Sequence, residues 1–253
     1  MTGALFRRRA MQLRDVFAMR AHYGWAHFMA HKAAPLSNYS RRYFERLHTR
    51  LSAHTDMRSM AFDEKHGTDT FARGFFPVAE GVPKEQLSWG YGPVNQDFFR
   101  EILHAVNEPF SSYTFIDVGA GKGAALMFAS EFGFRRYLGV ELSPELIEIG
   151  RRNVALYKQA TARRFEPEWV QQDFMQWPIP PEESVFFLNN PLPPDLSVAA
   201  LRKIEQSVAA HPRHVLLIFR KCPALAGDYL HASKVWRPRR LAPYWRVYES
   251  PGA

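Results

Sequence analysis

The chain has 253 residues, of which 46% are hydrophobic, enough for one sizeable core and an appendage. One cysteine, Cys222, excludes an internal disulfide and fits a reducing compartment; no apolar run reaches the roughly 20 residues a bilayer span needs, so a cytoplasmic location is expected. The net charge of +8 sits entirely in residues 1–60, which hold eleven Lys/Arg against three Asp/Glu, while the remainder balances.

That basic segment reads as helical. Phe6, Ala10, Leu13, Phe17, Ala21, Trp25 and Phe28 recur at three- and four-residue steps, with the arginines mostly between them. Such an amphipathic helix docks on the domain it precedes or on a second copy of the chain, which would give a homodimer through the N-terminal helices. Its charge is either a patch for an acidic macromolecule or a solvated face. Arg14, Asp15 and Arg20 leave no apolar region of the signal-peptide kind. Pro35 stops the helix, and a second is expected from Asn38 or Ser40 to about Ala53. His27 and His31 share a helix face, but no carboxylate or cysteine completes a metal set.

Residues 55–92 read as irregular. Phe62 to Thr70 has turn composition, and Pro77, Gly81, Pro83, Gly90, Gly92 and Pro93 punctuate the rest. A structureless stretch this long is uncommon unless it is functional, so a lid is expected here. Tyr91 either closes on the ligand or packs with Trp89 under the helix that follows, Gln96 to Val106. The expected division is a basic helical extension with its lid-like loop over 1–92, and the main domain over 93–253.

From Tyr113 the pattern alternates strand and helix, which predicts an α/β fold with a mostly parallel sheet. Tyr113 to Val118 is apolar, aromatic and β-branched, as a strand covered on both faces should be. Asp117 interrupts it at the carboxyl end, where open α/β sheets bind ligands. Gly119, Gly121 and Gly123 then form a turn that leads into a helix from Lys122 onward. The dinucleotide fingerprint is G-x-G-x-x-G; this turn is G-x-G-x-G, with an acid two residues before it. That carboxylate would repel a pyrophosphate and suit a cation. Arg136 to Glu141 is a second strand that also ends in an acid, 20 residues after Gly121, a spacing at which nucleotide-binding units hold ribose hydroxyls. Ser143 and Pro144 open the next helix, which ends near Ala160. A third strand, Glu168 to Gln171, is followed by Asp173 and Phe174, so three acids stand at three successive strand ends. A fourth strand, Ser184 to Leu188, runs into Asn189-Asn190-Pro191-Leu192-Pro193-Pro194. Helix Asp195 to Ala210 and buried strand His214 to Phe219 come next. Gly227 to Trp236 and Leu241 to Tyr248, joined by the basic turn Arg237 to Arg240, suggest a terminal antiparallel pair.

Asp117-x-Gly119-x-Gly121-x-Gly123, together with Gly139-Val140-Glu141-Leu142-Ser143-Pro144, resembles the first two motifs of class I S-adenosylmethionine (SAM) methyltransferases over about residues 91–250. The resemblance implies a Rossmann-like sheet with a terminal antiparallel strand, and SAM as cofactor. It implies that Asp117, Gly119, Ala120, Gly121 and Gly123 hold the methionine part. Glu141 with Leu142 would take the ribose and Asp173 the adenine amino group, with Phe174 or Met175 against the ring and Tyr91 near the carboxylate. Families that methylate amino nitrogens carry Asn/Asp-Pro-Pro-aromatic at the fourth strand end. Asn190 would then position the acceptor, although Leu192 and Pro193 depart from that pattern. Asn189-Asn190 also loosely resembles the pair found there in a family of protein-lysine methyltransferases. The acceptor itself, whether protein lysine, nucleic acid or small molecule, stays open.

No serine-hydrolase elbow, P-loop or zinc spacing is present. Two other classes remain for comparison. One is an NAD-linked oxidoreductase, which Asp117 and the glycine spacing oppose. The other is a catalytically silent SAM-binding module in which the basic N-terminal helix does the interacting.

Overall fold

The computed structural model describes residues 59–71, 92–189, 192–242 and 244–252. These lie almost wholly in one compact unit, Ser59–Arg240 with Trp245–Ala253. The two expected N-terminal helices, and with them the acidic-partner and homodimer expectations, lie outside the described residues, as does most of the expected lid.

Residues 59–66 form a helix, α1, where the sequence suggested only a turn. Asp63 explains the difference. Its carboxylate accepts from the Thr68 hydroxyl (2.6 Å), the Thr70 N–H (2.8 Å) and the Phe71 N–H (2.7 Å), so the turn residues close onto the helix that carries Asp63. The next helix, α2 (Gln96–Val106), starts as the composition predicts. Asn95 accepts from the N–H groups of Asp97 and Phe98, and Asn107 ends it in the left-handed conformation.

The sheet then builds outward from β1 (Thr114–Val118), every residue of which is buried. β2 (Arg136–Glu141) pairs with it in parallel, and β3 (Pro167–Gln171) pairs in parallel with β2. On the other side come β4 (Ser184–Asn189) and β5 (Val215–Arg220), also parallel. β7 (Trp245–Glu249) runs antiparallel to β5, and β6 (Arg237–Leu241) lies at the edge. The strand order is β3-β2-β1-β4-β5-β7-β6, and the sheet is the expected Rossmann-like one, mostly parallel with an antiparallel strand toward its end. Order reverses between β1 and β4, so a crevice for ligands is expected outside the carboxyl ends there.

Helices α3 (Ala124–Ala129), α4 (Pro144–Thr161), α5 (Pro194–Ala210) and α6 (Ala224–Ala232) complete the connections. Ser143 caps α4 by accepting from the Leu146 N–H. The core under α2 is aromatic: the Phe99 ring meets Phe115, Phe128 and Phe187 at centroid distances of 5.8, 5.9 and 5.1 Å, all four being buried. No helix among the described residues is long and apolar enough to cross a membrane.

One end of the chain differs from expectation. Gly227 to Trp236 is not a strand; most of it belongs to α6. Ala226, Gly227 and Leu230 are its buried face, a helical spacing. A Cβ at Gly227 would come within 2.7 Å of the tip of the Arg246 side chain, which can swing aside. The run Arg237–Arg240, expected as a basic turn, is itself edge strand β6. Charges and a proline suit an edge, since they discourage pairing with another chain.

Candidate functional site

The carboxyl ends of β1, β2 and β3 lie side by side. Val118 is in register with Val140, and Glu141 with Gln171. This brings the three expected acids to adjoining strand ends: Asp117 within β1, Glu141 as the last residue of β2, and Asp173 two residues beyond β3.

Asp117 is buried, with 3% of its surface exposed. Among the described residues its carboxyl has no hydrogen-bond partner. Burial, and then the charge of nearby Glu141, push its pKa from 3.8 up to about 8. The glycine turn follows directly. Gly119, Gly121 and Gly123 have φ of 73°, 53° and 80°, a conformation that costs an L side chain energy but is free for glycine. The N–H groups of Gly119 and Ala120 both donate to the Val140 carbonyl, at 2.9 and 3.1 Å, which pins the turn to the end of β2. Ala120 is buried.

Glu141 reaches back to the same turn. One carboxylate oxygen accepts from the Gly121 N–H at 2.8 Å; the other accepts from Leu142 (2.7 Å) and Ser143 (2.9 Å). A carboxylate offers about four acceptor positions. Three are used on the backbone, leaving roughly one for a ligand hydroxyl. Leu142 is half-buried beside it.

Asp173 is exposed. Its Oδ1 accepts from the Met175 N–H at 2.9 Å, and its carbonyl accepts from Gln176 and Trp177, so it heads a tight turn beside the β3 end. Phe174 is buried, its ring 6.2 Å from Trp177 and 6.4 Å from Phe186. Met175 beside it is half-buried. Tyr91 and Asn190 lie outside the described residues. Neighbouring Asn189 donates to the Gly92 carbonyl at 3.1 Å and accepts from Arg220 at 2.7 Å, so the β4 end is braced to the start of α2 and to the β5 end.

Two contributors escaped sequence reasoning. Trp169 on β3 lies against the turn: a Cβ at Gly123 would come within 3.0 Å of its ring, and one at Gly150 of α4 would overlap it. The third glycine of the turn is therefore needed for packing as well as for its positive φ. The second is Lys122, buried inside the turn with its ammonium 3.0 Å from both oxygens of Asp69. A lysine amid glycines beside a cation-favouring carboxylate is itself a signal, because such a lysine needs its own counter-charge. Burial pushes the Cys222 thiol up to about 11, which disfavours its thiolate. No group of three or more His, Cys, Asp or Glu among the described residues is placed to hold a metal ion.

No protein-family model matches the chain, and no curated protein matches it in sequence. Among solved structures it is similar to a magnesium protoporphyrin IX methyltransferase from Synechocystis with bound SAH, at 15% identity over 65% of this chain and 90% of that one, with a TM-score of 0.45. An RNA methyltransferase from Salinibacter ruber in complex with S-adenosyl-L-homocysteine is 19% identical over 62% of this chain and 92% of its own, TM-score 0.43. A predicted N6-adenine-specific DNA methylase from Listeria monocytogenes is 13% identical over 64% and 52%, TM-score 0.49. Identity this low leaves function to be read from this chain's own residues.

Proposed function

We propose that the protein is a SAM-dependent methyltransferase acting on a nitrogen of a protein or other macromolecule. The observation that carries this is the Asp117 carboxyl, buried under a glycine turn with Glu141 beside it. A pyrophosphate would meet two carboxyl groups there; an ammonium would give Asp117 the partner it lacks among the described residues. The rest of the set fits the same ligand. The turn, with three positive-φ glycines, lets a ligand lie on bare backbone. Glu141 keeps about one acceptor position for a ribose hydroxyl. Asp173 stands one strand further out, at adenine's place in the resemblance.

When bound, SAM supplies an electrophilic methyl carbon on sulfur, the C–S electron pair leaving with the sulfur. The chain's part is to orient and to exclude water. The acceptor must be held about 3 Å from the methyl carbon, its lone pair in line with the C–S bond. Asn190 is proposed to accept the N–H of the acceptor nitrogen, and the Asn189 link to Gly92 and Arg220 holds the strand end just before it in the chain. No covalent enzyme intermediate is required.

Calorimetric titration of the purified protein with SAM, S-adenosylhomocysteine (SAH) and NAD tests the reading. Binding of SAM and SAH, with none of NAD, is expected; NAD binding without SAM would overturn it. Methyl-labelled SAM, incubated with the protein and a lysate from cells lacking it, should label a macromolecule. Binding without any transfer would instead favour the silent module.

A further inference from the structure

On the proposed function the glycine turn receives its ligand on backbone alone, yet three glycines in five residues make it costly to hold still. Ala120 and Lys122 are the non-glycine residues between Gly119 and Gly123, and of the two only Lys122 can anchor the turn through a polar side chain. Its direction is informative. Aimed at Asp117, its ammonium would compete with a cationic ligand. It is instead buried, 1% exposed, and its ammonium meets both Asp69 oxygens at 3.0 Å.

Asp69 is in turn fixed by Asn153, a buried residue of α4. The Asn153 amide donates to the Lys122 carbonyl (3.0 Å) and to the Asp69 carbonyl (3.0 Å), and accepts from the Asp69 N–H (2.8 Å). One side chain therefore ties the backbone of the turn to the backbone of the segment after α1. That segment has anchors of its own. Asp63 gathers Thr68, Thr70 and Phe71, and the Phe62 ring sits 5.0 Å from Phe128 and 5.7 Å from Tyr157.

We propose that Asp69 and Asn153 are positioning residues that hold the glycine turn, through Lys122, in the shape that receives the cofactor. A preformed turn lowers the ordering cost of binding. The inference rests on the reading of the turn as a SAM site, but its first test does not. The Asp69 side chain is 54% exposed, so Asp69→Asn leaves the core intact.

In the ligand-free full-length protein, hydrogen exchange of the amides from Gly119 to Ala125 should quicken about tenfold in Asp69→Asn, with β4 and β5 unchanged; loss of a charged hydrogen bond is of this size. The SAH Kd should rise by roughly tenfold on the same grounds. In a Lys122→Met background, Asp69→Asn should add nothing further, the signature of one shared interaction. Unchanged exchange at the turn, an equal quickening throughout the sheet, or additive effects of the two substitutions would each overturn the proposal. If the wild type binds no SAH, the cofactor reading fails, while the exchange result still judges the tether.

Discussion

Replacing Asp117 by asparagine keeps the shape of a buried carboxyl and removes its charge. Burial and the neighbouring Glu141 raise this group from 3.8 to about 8, so at pH 7 it is ionised in the unfolded chain and protonated in the fold. A raised carboxyl pKa contributes stability in full below the unfolded value and loses it as pH climbs toward about 8. At about 1.4 kcal/mol per pH unit, and with pH 7 about three units above the ordinary value, the group costs the fold about 4 kcal/mol. Asp117→Asn should therefore stabilise the ligand-free protein by about 2–4 kcal/mol at pH 7, the gain shrinking as pH falls toward 4. A cationic ligand works in the opposite direction, because it favours the carboxylate. Binding of SAH at pH 7 should then release close to one proton, and affinity should climb by up to about tenfold per pH unit between 6 and 8. Urea denaturation between pH 4 and 9 reads the first effect, and calorimetry in two buffers of different ionisation enthalpy reads the second. An asparagine variant no more stable than wild type at pH 7, or one that binds SAH as tightly as wild type does, would refute the reasoning.

Other substitutions bear on separate parts of the account. Glu141→Ala removes the acceptor of three backbone N–H groups and, on the proposed function, of the ribose; SAM binding should weaken by about 1–3 kcal/mol in a calorimetric titration, and unchanged affinity would count against the ribose role. Gly150→Ala, normally favourable in a helix, should instead destabilise by about 1–3 kcal/mol in urea, since the added Cβ would overlap the Trp169 ring. Glu131 accepts from Gln96, Arg100 and Tyr157, and the Arg100 guanidinium holds its carboxyl below the ordinary 4.5. That contribution is present above 4.5 and lost as pH falls through the lowered value. Glu131→Gln should accordingly cost about 1–3 kcal/mol at pH 7, and progressively less as the pH falls below 4.5, by urea melts across that range.

The parts legible in the sequence were those set by local chemistry. β1 and β2 declare themselves because strands buried on both faces are rich in apolar residues, and the acids near their carboxyl ends stand out for the same reason. Helices α2 and α4 carry their own caps, Asn95 and Ser143. What stayed hidden depends on distant partners. The strand expected over Gly227 to Trp236 is largely helix α6, whose buried residues Ala226, Gly227 and Leu230 follow a helical spacing. Helix α1 was missed because Asp63 draws residues of turn composition back onto it. The burial of Phe174 near Trp177 and Phe186 was likewise not visible in its local sequence. Gly123 was read as a ligand-facing glycine, and only the packing of Trp169 shows its second reason. The clamp of Asp69, Lys122 and Asn153 spans 84 residues of sequence, which no local pattern reports.

The most direct measurement is amide NMR of the labelled protein titrated with SAH. The amides of Gly119, Gly121, Gly123, Leu142 and Met175 should move together, while those of β6 and β7 stay in place and NAD moves none of them. A titration in which SAH leaves the glycine amides unshifted, or shifts a different surface, would contradict a cofactor site at the ends of β1, β2 and β3.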